Sequence, residues 1–316
     1  IMNITIDDAY KNFIEDRKTY VSDKTLEFYQ DNISKFVTFC HDRYAAVYMS
    51  ALPDSVLKDY VLFLRTRKKF EGHPFTPESD EAIKNSSVRT YTRAVKSFLN
   101  YCKNEHYIED YKKVKMPKND ARQIIPLYSD EVRKIDATFN HRTMIGLRDY
   151  CIVHLMLDAG FRSQEVINLK KQDVLFDKDA LLVVNSKGSV SRIVIMCPCL
   201  KRNLWEYIFY HRSGSAPSAP VFIQIKNKAP INENVIKQYF ARLKKRTGID
   251  RLHPHLLRHT FATSYILGGG NLEMLRILLG HSDYDITKNY LHLVNQYQIL
   301  HADIYKLDPV FFQQHY

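Results

Sequence analysis

Three stretches in the second half of the chain combine residue types that can act together on an anion. In Gly160-Phe161-Arg162-Ser163-Gln164-Glu165, an apolar run ends at a glycine, Arg162 opens the next helix, and Glu165 follows three residues later. A guanidinium is a rigid fork that matches phosphate oxygens, and a glutamate at that spacing can orient it. Arg-x-x-Glu by itself is most often a surface ion pair. In His253-Pro254-His255-Leu256-Leu257-Arg258-His259-Thr260, proline suits a helix N1 position. His255 and Arg258 then share one face near the positive end of the helix, where an anion is favoured. His255 can move a proton near neutral pH, Arg258 can hold an anion, and His259 reads as a packed supporting residue. The same pattern also occurs in a capped core helix with incidental polar residues. Leu279-Gly280-His281-Ser282 ends a helix at its glycine, and Tyr290 follows nine residues after His281 in Lys-Asn-Tyr-Leu-His. One tyrosine among 21 carries nothing alone; its weight comes from the combination.

These residues need a scaffold, and the periodicity predicts a mostly α fold. Residues 5–110 read as four helices, over about Ile6–Lys18, from a Ser22 N-cap onward, over Asp54–Arg67 and over Ser86–Glu105. Stripes such as Leu26, Ile33, Phe36 and Phe39, or Val88, Tyr91, Val95, Phe98 and Tyr101, are core faces of a small bundle. Residues 1–110 form this domain, 111–125 a charged linker containing Pro117, and 126–316 a second domain with a tail from about 293. In the second domain Ser129 caps a short helix and Met144–Ala159 reads as a buried one. Asp179–Met196 forms a β-hairpin around Ser-Lys-Gly-Ser. Helices follow over Pro198–Tyr210, Asn232–Arg246, Pro254–Leu267, Leu272–Leu279 and Ile286–His292, with another from Val294 to Tyr305. The second domain is thus mixed α/β with a small antiparallel sheet.

Charge points to the partner. The 316 residues carry a net charge of +11, and 45% of them are hydrophobic, which excludes a largely disordered chain. Residues 1–120 hold 20 basic and 18 acidic side chains, against 26 and 17 in residues 121–316. A basic surface fits a polyanion, with nucleic acid the first candidate. The near-neutral bundle would need a locally basic face: Arg65, Arg67, Lys68 and Lys69, or Arg89, Arg93 and Lys96. Lys112, Lys113, Lys115 and Lys118 in the linker suit phosphates or simply a solvated tether. Five cysteines and no secretion signal suggest reduced thiols, and Cys197-Pro198-Cys199 has no companion pair at zinc spacing, so no metal site is expected. No apolar run approaches the ~18 residues of a membrane span.

In this order and spacing GFRSQE, HLLRH, LGHS and the tyrosine of KNYLH resemble the tyrosine recombinases: phage-type integrases, Xer-type recombinases and related transposon enzymes. The resemblance spans the second domain and extends loosely to the bundle, which looks like the family's SAM-like, core-binding domain. It implies that Arg162 and Arg258 clamp the phosphate, that His255 and His281 fill the two histidine positions, and that Tyr290 is the nucleophile. The family's catalytic lysine lies in the hairpin, often as Gly-Lys-Gly. Here Asn185-Ser186-Lys187-Gly188 makes Lys187 the match, with serine replacing the first glycine; Lys178 lies before the hairpin and substitutes poorly. Phe161 replaces the commoner leucine, a conservative change.

The residue types agree with that chemistry. A phenol titrates near ~10, so tyrosine needs an electropositive site and a proton acceptor to attack phosphorus. His255 would take its proton, Lys187 would protonate the leaving 5′-oxygen, and His281 would donate to the phosphate. The resemblance implies a 3′-phosphotyrosyl intermediate, no cofactor, and double-stranded DNA as partner. It also implies a homo-tetramer on two duplexes held through the tail, accessory bending or directionality factors, and a cytoplasmic, nucleoid-associated enzyme with no membrane partner. The first helix starts within about ten residues, which points to Xer-like or transposon-type members. A type IB topoisomerase-like enzyme and a catalytically silent DNA-binding regulator are the other readings.

Overall fold

The computed structural model describes residues 3–69, 71, 77–116, 124–184 and 192–280. The chain divides into two compact units, residues 1–122 and 123–316.

The first unit is the expected bundle: α1 (Ile6–Lys18), α2 (Asp23–Tyr44), α3 (Val56–Thr66) and α4 (Asn85–Asn104). Thr5 caps α1 by accepting from the Asp8 backbone N–H at 3.0 Å, satisfying a donor that the helix leaves orphaned. The stripes read from the sequence meet in an aromatic core. Phe13 packs edge-on against Tyr29 and Phe98, with centroids 5.2 and 5.5 Å apart, and Phe36 packs edge-on against Tyr60 at 5.1 Å. Such offset contacts suit the ring quadrupole. Tyr107 and Tyr111 are buried in the same core. Tyr111 also donates to Asn100 Oδ1 at 2.7 Å, so the chain stays on the bundle beyond α4.

In the second unit α5 (Ser129–Asp136) starts one residue earlier than a Ser129 cap implies. Tyr128 is the N-cap, and its backbone N–H donates to the Glu131 carboxylate at 2.9 Å. Helix α6 (Met144–Leu157) is buried from Gly146 to Leu157 and forms the centre of the core. An all-round apolar helix has no solvent face to offer. Around it lie α7 (Ser163–Asn168), α8 (Pro198–Arg212), α9 (Glu233–Thr247), α10 (Pro254–Leu267) and α11 (Leu272–Leu279). The hairpin is joined by a further short strand, so β1 (Val174–Leu175), β2 (Ala180–Val183) and β3 (Arg192–Ile195) make a three-stranded antiparallel sheet. Val183 pairs with Arg192 and Ala180 with Ile195. The period of two then sends Arg192 and Val194 inward and Ile193 and Ile195 to solvent. The helices expected over Ile286–His292 and Val294–Tyr305 lie outside the described residues.

Helix α6 buries one ionisable group of note. His154 is 2% exposed, with Nδ1 2.7 Å from Asp158 Oδ2 and Nε2 2.9 Å from Asp136 Oδ1. Burial opposes its charge, but the two carboxylates outweigh burial and raise its pKa to about 10. Because the folded value lies above the unfolded ~6.5, its contribution is complete below that pH and is lost as pH rises through about 10. We expect the stability of this unit to decline from pH 7 to pH 10, read as a denaturant midpoint. His154→Ala should remove that component and cost about 3–5 kcal/mol at pH 7, because the buried carboxylate of Asp158 loses its partner. A variant with an unchanged pH dependence would disprove the assignment.

Candidate active site

The turn before α7 sets the first arginine. Gly160 has φ +64°, and a Cβ there would meet Phe261 side-chain carbons at 2.6 and 2.8 Å and Leu279 at 3.0 Å. Glycine is therefore required both for the backbone conformation and for the close approach of α10 and α11. Arg162 is the N-cap of α7 and Glu165 its third residue. The Glu165 carboxylate accepts from the Arg162 backbone N–H at 2.8 Å and from Arg162 Nη1 at 3.0 Å. Here the sequence pattern departs from the common surface pair, because the Glu165 side chain is only 6% exposed.

Helix α10 brings the second arginine. His253 is its N-cap, with Nδ1 accepting from the Leu256 N–H at 2.8 Å, and Pro254 opens the helix as expected. One turn on, Arg258 is buried. Its Nη1 donates to Gly160 O at 2.5 Å and stands 3.8 Å from Glu165 Oε2, and its Nη2 donates to Leu279 O at 2.6 Å. Arg162 Nη2 donates to Gly280 O at 3.2 Å. Two guanidiniums from separate elements thus share one carboxylate and hold adjacent carbonyls at the C-terminal end of α11, immediately before His281 in the chain. Gly280 supports that end from a left-handed φ of +60°, and its backbone N–H closes the helix on Ile277 O. The Arg162 side chain is 35% exposed and Arg258 5%, so Arg162 is the one that presents itself to solvent.

A third arginine belongs to the cluster and was not singled out in the sequence. Arg192, at the start of β3, is 3% exposed in its side chain. It forms a bidentate pair with Glu165, Nη1 to Oε1 at 2.9 Å and Nη2 to Oε2 at 2.8 Å, and its Nε donates to Leu278 O at 2.5 Å. The available signal was an arginine heading the apolar run Arg-Ile-Val-Ile. Burial alone would raise the Glu165 pKa, but Arg192 foremost, then Arg162 and Arg258, hold it below its ordinary value.

The histidines of α10 are kept neutral. His255 is lowered first by desolvation and then by the charges of His253, Arg258 and Arg162. His259 is more deeply packed and is lowered to about 4, again by burial first and then by His255, His253 and Arg258. His255 at neutral pH is therefore an imidazole able to accept a proton. Lys187, His281 and Tyr290 lie outside the described residues. Among the described residues no group of three or more His, Cys, Asp or Glu could hold a metal ion, and no helix is long and apolar enough to cross a membrane. Cys197 packs as the N-cap of α8, with Sγ 3.6 Å from Asp158 Oδ2.

In the first unit the two candidate basic faces differ. Arg67 pairs with Glu71 at 3.4 Å, Lys68 with Glu78 and Asp80 at 3.3 and 3.1 Å, and Lys69 with Glu81 at 3.3 Å. Much of that cluster's charge is spent internally, although Arg65 is exposed. On α4, Arg89, Arg93 and Lys96 instead line a groove of about 510 Å³ with Ser86, Thr90 and Met116. Lys112 pairs with Asp54 at 3.1 Å, while Lys113 and Lys115 are exposed.

His259 gives a pH test opposite in sign to that of His154. The folded protein resists a proton that the unfolded chain accepts near ~6.5, so stability is complete above that pH and falls as pH drops towards about 4. His259→Asn should flatten the fall between pH 6.5 and pH 4 in a urea-midpoint series; an unchanged slope would exclude the neutral, half-buried imidazole.

Comparison with known proteins agrees with this architecture. Residues 126–296 match the phage integrase family and residues 5–116 match the phage integrase SAM-like domain. The chain is 26% identical over 294 residues to the tyrosine recombinase XerC of Staphylococcus aureus (strain COL), covering 92% of this chain and 93% of the relative. Its fold is similar to that of the Tn1549 transposon integrase in complex with a circular intermediate DNA, with a TM-score of 0.71, 17% identity, and coverage of 91% and 95% of the two chains. It is also similar to a lambda integrase dimer bound to a core site, with a TM-score of 0.67, 16% identity, and coverage of 91% and 95%. With the catalytic-domain match spanning more than half of its length, and with two arginines of that domain gathered on one buried carboxylate, this chain belongs to the phage integrase family of tyrosine recombinases.

Proposed function

We propose that the chain recombines DNA at specific sites, cutting and rejoining strands through a covalent bond between Tyr290 and the 3′ side of the scissile phosphate. The observation that carries this reading is the pairing of Arg162 and Arg258 through Glu165 and through the last carbonyls of α11. Attack on a phosphodiester builds negative charge on the non-bridging oxygens of a pentacoordinate phosphorus. Guanidiniums already fixed in place stabilise that charge without reorganising. The names of the similar proteins, a tyrosine recombinase and two integrases held with DNA, support the substrate class.

In this mechanism the phenol of Tyr290 gives its proton to neutral His255 as its oxygen bonds to phosphorus. The bond to the 5′-oxygen breaks, and Lys187 protonates that leaving group. His281 donates a hydrogen bond to the phosphate. One phosphoester bond replaces another, so its energy is kept for the reverse attack by a second strand's 5′-hydroxyl. The reaction as written draws on neither ATP nor a metal.

The same reading assigns the DNA grip of the bundle to Arg89, Arg93 and Lys96 on α4, with Lys113 and Lys115 next along the chain. It takes the residues from about 293, which lie outside the described ones, as the link between protomers of a tetramer on two duplexes. Deleting residues 306–316 should prevent synapsis, and unchanged assembly in a gel would exclude that role.

A DNA site nicked beside the cleavage position traps the covalent adduct. Tyr290→Phe should yield none, and Arg162→Ala or Arg258→Ala should slow its formation by about 10²–10³-fold, the cost of removing one preorganised donor to the developing charge. An adduct that survives Tyr290→Phe would refute the nucleophile. Replacing Arg89, Arg93 and Lys96 together by Ala should lower the slope of log affinity against log salt by up to ~3. Replacing Lys68 and Lys69 should change it less, because their ammonium groups already have carboxylate partners.

A further inference from the structure

Arg192 is the one member of the arginine cluster with no part in the mechanism above. A buried arginine is costly unless fully paired, and this one is paired on three sides. Its fork takes both oxygens of Glu165, and its Nε takes Leu278 O. Arg192, Arg258 and Arg162 therefore hold the consecutive carbonyls of residues 278, 279 and 280, one each. Gly280 leaves room for this. A Cβ at that position would stand 2.9 Å from Arg192 Nη1 and 3.4 Å from its Cζ. Charge bookkeeping gives the consequence: three guanidiniums meet one carboxylate. Arg192 is the partner that neutralises it symmetrically, so that Glu165 aims the other two arginines without cancelling them.

We propose that Arg192 is a positioning residue for strand cleavage, its fork on Glu165 and its bond to Leu278 O setting where Arg162 and Arg258 stand relative to the scissile phosphate. This rests on the recombinase reading. Lysine at 192 keeps the charge but not the two-pronged geometry. The carboxylate then shifts towards Arg162 and Arg258, and both guanidiniums move with it. A displacement of about 1 Å at such a site costs on the order of 10²-fold in rate.

The test uses the full chain on two nicked substrates. One carries the normal scissile phosphate and the other a neutral methylphosphonate, which develops less negative charge and depends less on the two arginines. In Arg192→Lys, single-turnover cleavage of the phosphate should fall about 30–100-fold and that of the methylphosphonate less than about 3-fold, with DNA affinity unchanged. Because both rates come from one preparation, their ratio does not depend on the fraction folded. Equal losses on both substrates would make Arg192 merely structural and overturn the proposal, as would equal retention. Should Arg192→Lys not fold, Arg192→Gln leaves Glu165 compensated by Arg162 and Arg258 and should shift the ratio the same way; an unshifted ratio overturns the proposal. Failure of the unsubstituted protein to form an adduct on the phosphate would instead sink the recombinase reading.

Discussion

The catalytic unit is organised around one buried negative charge. Glu165 lies on α7, at six residues the shortest α-helix among the described residues, yet it gathers Arg162, Arg192 and Arg258 from the start of α7, β3 and α10. A carboxylate taken out of water demands such compensation, and guanidiniums meet the demand with directed pairs of N–H donors. The same three side chains then satisfy carbonyls at the end of α11, which its helix leaves without partners. Stability of the fold and the placing of the arginine cluster are in this sense one network, and it carries a net positive charge.

Other buried charges in the unit follow the same logic away from the arginine cluster. His154 is held protonated between Asp136 and Asp158, and Arg148 is paired with Asp149 at 2.7 Å while donating to Ile223 O at 3.2 Å. In both places each cation has at least one carboxylate to itself. The arginine cluster differs, because three cations share one anion. Burial opposes the charge of all three histidines: beside the cluster the neighbouring cations add to it and the pKa values of His255 and His259 fall, while at His154 two carboxylates reverse it. One domain thus keeps a charged imidazole in its core and neutral ones beside the arginine cluster, the sign of the neighbours deciding which way burial is answered.

The helices were legible in the sequence because amphipathic periodicity is local. Ile6–Lys18, Pro254–Leu267 and Leu272–Leu279 were read with the bounds they have in the structure. The candidate residues Arg162, His255 and Arg258 were singled out from an ordered set of motifs. Less legible was β1, whose two residues carry no alternation and exist as a strand only through pairing with β2. The ion pairing of Lys68 and Lys69 was also closed to the sequence, since their partners lie on residues 78, 80 and 81.

What the sequence by itself determined is the helical framework, the excess of positive charge and the residue types at the site, all of which rest on neighbours within a turn or two. What only the tertiary structure decided is which of those residues are buried together. Arg-x-x-Glu reads as a solvent pair until α10, α11 and β3 close over it. Arg-Ile-Val-Ile would by hydropathy turn its isoleucines inward, yet the register of β3 on β2 sends Ile193 and Ile195 out and Arg192 in. The reason is physical: the partner that makes an inward arginine favourable is Glu165, 27 residues back, and the carbonyl that completes its shell is 86 residues ahead.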